Sequence, residues 1–180
     1  DINNLYKGFK KVKIAKGAAG IDGQSVGAFA SNLEINLKQL QLELQSKQYR
    51  AQPVRRVEIP KDDGGVRMLG IPAVRDRIVQ QTLLNILQPI FDIDFHPSSF
   101  GYRPKRSCHD AISKATVFIR KHHLDWVVDM DLSKCFDLLD HELIISSVKR
   151  KVTDGSILKL INQFLKSGVM IGNNWEACTV

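Results

Sequence analysis

Apolar residues fall at Val26, Phe29, Leu33, Leu37, Leu40 and Leu44, with spacings of 3, 4, 4, 3 and 4. That rhythm lays one apolar stripe along an amphipathic helix, and Ser25 stands where a side chain caps its start. The stripe is core and is assigned no chemistry. Before it, residues 1–15 are basic and weakly periodic, a further helix, and KGAAGIDG (16–23) is a small-residue turn with Asp22-Gly23 as its strongest signal. The period changes at residue 54. VRRVEI (54–59) and VRMLGI (66–71) read as strands joined by the turn cluster PKDDGG (60–65), which predicts a β-hairpin.

A helix is expected from about Pro72 to Gln88, with Val74, Ile78, Leu83 and Leu87 inward. FHPSSFGYRPKRS (95–107) is a long loop rich in Pro, Ser and base. Ser107 then caps a helix carrying Ala111, Ile112, Ala115, Phe118 and Ile119. Asp125 to Leu132 reads as a strand. His141 to about Lys151 and Ile157 to Lys166 read as helices, with Gly168 as a stop. Helices, a hairpin, helices, a strand and helices in that order predict an α+β protein. Neither an internal repeat nor a low-complexity tract interrupts it. The chain opens on Asp1 and closes on GNNWEACTV without a helix stop or polar tail, so it reads as a piece of something longer.

Composition narrows the partners. Hydrophobic residues make up 43% of the 180 and charged residues 25%, which fits a globular protein rather than a disordered one. No apolar run approaches the roughly 20 residues of a membrane span, and no signal peptide opens the chain. The net charge of +7 points to a polyanionic partner, for which nucleic acid is the usual candidate, or to an ordinary basic surface. Cys108, Cys135 and Cys178 are few, odd in number and far apart, as suits free thiols in a reducing cytoplasm. His122 and His123 are adjacent, so on a helix they do not converge on one metal, and they read as surface.

Candidate chemistry concentrates in three places. In VVDMDLSKCFDLLDH (127–141), strand alternation puts Val127, Asp129 and Asp131 on one face, so two carboxylates share the strand's end. Carboxylates prefer hard cations, and Mg²⁺ is commonly held by one or two of them plus substrate phosphates. The alternative is a solvated strand end followed by helix-capping aspartates. On the hairpin, Lys61 and Arg67 flank the glycine turn, where two cations can close on a triphosphate or simply face solvent. Between Pro53 and Lys121 there are twelve Lys or Arg against seven Asp or Glu. In FGYRPKR these interleave with Phe100 and Tyr102, a pattern that holds a nucleic-acid backbone while rings stack on bases, or a loop anchored by its aromatics.

Five blocks in order resemble one family, the reverse transcriptases encoded by bacterial group II introns, often called maturases, with retron-type enzymes as close relatives. GIDG (20–23) is similar to the family's first block, VEIPKDDGGVRMLGIPAVRDRIVQQ (57–81) to its fingers block, and SFGYRPKRSCHDAI (99–112) to the next. VVDMDLSKCFDLLDHELI (127–144) resembles the palm block with the first catalytic aspartate, and DGSILKLINQFLKSGVM (154–170) the segment that follows. The resemblance implies a right-hand polymerase fold: fingers over 1–124 and a partial palm over 125–180, with helices packed on a β-hairpin and a small antiparallel sheet. It implies RNA-directed DNA synthesis with two Mg²⁺ ions, an RNA template or intron RNA, a DNA primer and dNTPs.

Residue by residue, the same resemblance makes Asp131 the catalytic aspartate and metal ligand, and gives the Leu132 main-chain carbonyl to a metal. Lys61 and Arg67 would grip the triphosphate, with Lys134 and Cys135 facing it through backbone N–H groups. Phe136 would pack under the sugar and exclude a ribose 2′-hydroxyl. Arg103, Lys105 and Arg106 would contact RNA. Asp137 and Asp140 are expected to cap and pair rather than bind metal. Cys135 departs from the aromatic that relatives usually carry, which changes packing more than chemistry. The family's glycine-rich GTPQGG-like block and its YxDD block do not occur in the 180 residues. The segment alone is therefore expected to be inactive, and an incomplete palm is expected to expose apolar surface that favours self-association. The other function class is an RNA-binding splicing cofactor whose polymerase fold mainly docks intron RNA. A retron or CRISPR-associated origin would change the biology rather than the chemistry.

Overall fold

The structure is a computed structural model and describes residues 1–62, 64–133, 135–172 and 174–177. Its elements are α1 (Ile2–Ala15), α2 (Val26–Ser31), α3 (Leu33–Gln45), β1 (Val54–Pro60), β2 (Val66–Ile71), α4 (Val74–Asp92), α5 (Cys108–His122), a 3₁₀ turn (Cys135–Asp137), α6 (His141–Lys149), α7 (Gly155–Leu165), β3 (Val169–Ile171) and β4 (Asn174–Glu176). The mixture of helices with one small sheet agrees with the α+β expectation. The chain forms two units, one of residues 1–86 with 136–180 and one of residues 87–135.

In the first unit, Leu5, Phe9 and Val12 of α1 meet Phe29, Leu37, Leu40, Tyr49, Val74, Ile78 and Val79 in a single core, and Leu160 and Phe164 of α7 pack against it. The stripe from Val26 to Leu44 thus faces inward as expected, but on two helices rather than one. Asn32 leaves helical geometry (φ −125°, ψ 44°) between α2 and α3. The Asn36 side-chain amide donates to the Phe29 carbonyl at 2.9 Å, satisfying a backbone group that a continuous helix would have paired. Ser25 caps α2 as expected, its hydroxyl accepting from Ala28 N–H at 3.1 Å. α4 runs past the predicted end at Gln88 and contains Pro89, which removes one intrahelical bond without ending the helix.

The sheet order is β2-β1-β3-β4. β1 and β2 form the predicted antiparallel hairpin, from Arg55 opposite Ile71 to Pro60 opposite Val66. The sheet is mixed rather than antiparallel throughout, because β1 pairs in parallel with β3 through Val54–Val169 and Arg55–Met170. A parallel neighbour requires a crossover instead of a turn, and residues 61–168 supply it, which local pattern does not reveal.

In the second unit Ser107 caps α5 as expected, and it does so within a capping box. Ser107 Oγ accepts from Asp110 N–H at 3.2 Å, and Asp110 Oδ2 accepts from Ser107 N–H at 2.8 Å. The hydrogen bonds from Ser107 hold the Asp110 carboxyl below the usual carboxylate range. The apolar residues of α5 are exposed: Ile112 is 63% exposed, and Phe118 and Ile119 are also exposed. No described residue of this unit is buried.

Candidate active site and nucleic-acid interface

The hairpin is the best-defined part of the candidate site. β-branched and aliphatic residues on both strands favour the pleated conformation. The turn closes with Lys61 N–H donating to the Gly65 carbonyl at 2.8 Å and Gly64 N–H donating to the Lys61 carbonyl at 3.1 Å. Gly64 has φ +80°, a backbone region open chiefly to glycine. Arg67 lies directly opposite Ile59. Lys61 is two residues beyond Ile59, so the period of two puts Lys61 and Arg67 on one face, at the tip, both exposed. Two cations six residues apart in sequence thus share one face of the hairpin by register.

GIDG has a structural role at the other end of this unit. A Cβ on Gly20 would sit 2.5 Å from the Ala73 backbone, so only glycine permits the approach. Arg77 donates to the Ala18 carbonyl at 2.6 Å and Arg55 to the Ala19 carbonyl at 2.9 Å. The loop is therefore clamped onto the start of α4 and onto β1 by two guanidinium groups.

Asp131 does not lie on a strand. Residues 125–132 are irregular, with Trp126 96%, Val127 76%, Val128 79%, Met130 86% and Leu132 76% exposed. Alternation predicts a strand, but a strand is a paired state, and among the described residues no neighbour hydrogen-bonds to this one in the sheet. Asp131 and Leu132 are consecutive and exposed in the second unit, as is the less exposed Cys135. Lys61, Arg67 and the 82% exposed Phe136 belong to the first unit. Lys134 and the side chain of Asp137 lie outside the described residues, as do Asp63 and Cys178. Among the described residues there is no group of three or more His, Cys, Asp or Glu side chains placed to hold a metal. Asp140 caps α6, Oδ1 accepting from Glu142 N–H at 2.6 Å and Leu143 N–H at 3.1 Å.

Of the three basic residues in the 95–107 loop, Arg103 is engaged inward. Its Nε donates to Asp92 Oδ1 at 2.7 Å and its terminal nitrogens to the carbonyls of Asp92 (2.9 Å), His96 (3.0 Å) and Ser99 (3.1 Å). The guanidinium also lies over the Phe95 ring, 5.4 Å from its centroid, and the side chain is 6% exposed. The Arg103 hydrogen bond holds the Asp92 carboxyl below its ordinary range. Arg106 donates to the Pro97 carbonyl at 2.6 Å and covers the Phe100 ring. Lys105 and Tyr102 are exposed, Tyr102 almost completely, and both have positive φ (58° and 55°). The loop is thus an arginine-stapled turn displaying one aromatic ring and one lysine. Phe95 and Phe100 carry the stapling guanidinium groups, and Tyr102 is exposed.

Comparison with known proteins bears on the family. The family model described as reverse transcriptase (RNA-dependent DNA polymerase) matches residues 59–179. The chain is 40% identical over 159 residues to the protein YkfC of Escherichia coli, covering 86% of this chain and 42% of YkfC. It is 33% identical over 174 residues to the group II intron-encoded protein LtrA of Lactococcus lactis, covering 95% of this chain and 28% of LtrA. Over 174 residues it is 30% identical to a putative COX1/OXI3 intron 2 protein of Saccharomyces cerevisiae, covering 97% of this chain and 20% of that protein. The chain thus spans less than half the length of these curated relatives. No described helix is long and apolar enough to cross a membrane. With a family match that runs from the hairpin through the segment carrying Asp131 and on past α7, the chain belongs to the reverse transcriptase (RNA-dependent DNA polymerase) family and is related to group II intron-encoded proteins.

Proposed function

We propose that the chain is the fingers (1–124) and incomplete palm (125–180) of a right-hand polymerase that copies RNA into DNA for a group II intron-type retroelement. The family match over residues 59–179 carries this reading. The shared face of Lys61 and Arg67 supports their role: two guanidinium or ammonium groups at a hairpin tip neutralise the triphosphate of a dNTP as charge develops on the leaving pyrophosphate. By the family resemblance, the backbone N–H groups of Cys135 and of Lys134, which lies outside the described residues, would face the triphosphate. The exposed ring of Phe136 lies under the sugar and excludes a 2′-hydroxyl. Asp131 and the Leu132 carbonyl offer hard oxygen donors, the chemistry Mg²⁺ selects, and as a partial set they leave coordination sites for substrate phosphates. When bound, Mg²⁺ supplies Lewis-acid stabilisation of the transferring phosphoryl group.

RNA template is held through Lys105 and Arg106, with Arg103 fixing the loop that presents them. The free thiols Cys108 and Cys135 fit a reducing cytoplasm. The exposed apolar side chains from Trp126 to Leu132 favour self-association of the isolated segment. The net charge of +7 and the displayed Tyr102 and Lys105 also suit the splicing-cofactor reading, in which RNA is docked but not copied.

Primer extension on an RNA template separates the two. In the full-length protein Asp131→Asn abolishes dNTP incorporation while RNA affinity is kept, and the 180-residue segment alone does not extend. Near-normal synthesis by Asp131→Asn would refute the metal assignment. A wild-type protein that binds RNA and never extends would favour the cofactor reading.

A further inference from the structure

The β1–β2 hairpin carries its two cations at the far end of a free-standing arm. β1 pairs with β3 at Val54 and Arg55, and beyond Arg55 the one described strand beside it is β2. Every described residue from Glu58 to Gly70 is exposed. The direction of the arm is therefore set at its root, and the leverage is large. Lys61 lies six residues beyond Arg55, about 20 Å at the rise of an antiparallel strand, so a tilt of about 3° at the root moves the tip by about 1 Å. A misplacement of about 1 Å can cost about 100-fold in rate.

The loop of residues 17–23 is wedged into that root. Arg55 donates to the Ala19 carbonyl at 2.9 Å, and the period of two puts Arg55 on the face that also carries Lys61 and Arg67. Arg77, near the start of α4, donates to the Ala18 carbonyl at 2.6 Å. Between these bonds, Gly20 lies against the Pro72–Ala73 backbone, where β2 has ended and α4 begins. A Cβ on Gly17 would collide with the Arg77 guanidinium. One loop thus holds the start of β1 and the exit of β2 together. It is also closed on itself, with Gly23 N–H donating to the Gly20 carbonyl at 3.3 Å and Gln24 N–H to Asp22 Oδ1 at 3.1 Å.

We propose that Arg55 and Arg77 are positioning residues for the incoming nucleotide: through this loop they fix the direction in which the arm presents Lys61 and Arg67. This role rests on Lys61 and Arg67 gripping the triphosphate, and it extends that grip to two half-buried side chains at the other end of the arm. Positive charge alone does not require their placement. A guanidinium serving only the local field could point into solvent, whereas a planar fork anchored on a carbonyl sets an angle. Lysine keeps the charge and loses the fork.

Steady-state primer extension by the full-length protein, on an RNA template with varied dNTP, reads the direction of the arm. Arg55→Met and Arg77→Met each lower kcat/KM for dNTP about tenfold and leave the Kd for primer–template unchanged. In a Lys61→Ala/Arg67→Ala background the same substitutions cost under about twofold, because the groups they aim are gone. Arg55→Lys and Arg77→Lys lower kcat/KM about threefold although the charge is kept. A second measurement needs no activity. In the 180-residue chain with its cysteines replaced by serine, spin labels at Asp62→Cys and Lys38→Cys give a narrow distance distribution that broadens in the Met variants. Hydrogen exchange at the core amides of Phe9 and Ile78 stays unchanged.

Equal losses in the two backgrounds overturn the proposal, since the arginines would then act without Lys61 and Arg67. So does a distance that stays narrow in folded Met variants, and so do Lys variants that match wild type, which would mark a charge effect. Should the Met variants fail to fold, the Lys variants carry the same comparison. The triphosphate reading fails separately, if Lys61→Ala/Arg67→Ala leaves kcat/KM for dNTP unchanged. A broadened distance beside that result would still show the loop anchoring the arm, and the role toward the nucleotide would be overturned.

Discussion

Asp76 is the one acidic residue among the described residues that is buried, at 1% exposure, and its position is explained by its partners. The Tyr49 hydroxyl donates to Oδ1, and Gln52 N–H donates to Oδ2 at 2.9 Å. Burial still raises the Asp76 carboxyl above its ordinary range, against the opposing pull of those two hydrogen bonds and Arg75. The folded state therefore binds the proton more tightly than the unfolded chain, and this residue's contribution to stability falls as pH rises from about 4 through its raised value. Tyr49→Phe removes one donor and raises that value further. Urea denaturation is expected to show a loss of about 1–3 kcal/mol near neutral pH. The gap to wild type should close as pH falls below the unfolded carboxylate value, and a gap that widened in acid would contradict the assignment. Arg103 acts in the opposite sense. Its bond to Asp92 lowers that carboxyl, so the stabilisation is present above the ordinary carboxylate range and lost as pH falls through the folded value. In Arg103→Gln the Asp92 carboxyl should titrate nearer its ordinary range by NMR, and the stability difference from wild type should vanish in acid. Neither arginine nor tyrosine announced this in the sequence, because their partners lie 11 and 27 positions away and no local period links them.

At the scale of elements, what was legible is what local physics sets. The α-helical stripes, the capping residues Ser25, Ser107 and Asp140, and the hairpin follow from periods and turn chemistry within a dozen residues. Three features were not legible: one is a side-chain bond that no period reports, and the other two turn on what pairs from far off in the chain. The break at Asn32 is compensated by Asn36 reaching back to Phe29, and β3 joins β1 across more than a hundred residues. Residues 125–132 have strand alternation without a strand beside them. The close approach of Gly20 to Ala73 is another long-range requirement, although a GIDG block marks its place. Gly20→Ala inserts a methyl into backbone, where nothing can turn aside, and is expected to cost about 1–3 kcal/mol. Gly23 has φ +67° but open space around it, so Gly23→Ala is strained by conformation alone. Thermal denaturation of the two variants separates steric from conformational cost, and a Gly20→Ala protein as stable as wild type would show that the loop is not pinned to α4.

For the molecule as a whole, burial is distributed very unevenly. Every buried apolar side chain among the described residues lies in the first unit, from Leu5 to Leu83 and at Val152. The stretch 87–135 has local order from Arg103, the capping box and α5, but no buried residue of its own. Opening free energies follow burial and backbone pairing, so the two units should differ in their resistance to local unfolding. Chymotrypsin makes the comparison within one chain, because its aromatic and leucine targets occur in both. Trp126 and Leu132 are exposed on irregular backbone, whereas Tyr49, Phe9 and Phe29 are 2–3% exposed. Brief digestion in native buffer should cut first between Leu124 and Leu132, leaving Tyr49, Phe9 and Phe29 intact until global unfolding. Mass spectrometry of the early fragments reads this directly, and early cleavage at Tyr49 or Phe29 would show that the helical core is not the stable part. RNA held only by the 95–107 loop should protect that loop while leaving the Trp126 cut unchanged. Protection at Trp126 on adding single-stranded RNA would instead place the strand along the segment that carries Asp131, the disposition template-directed synthesis requires.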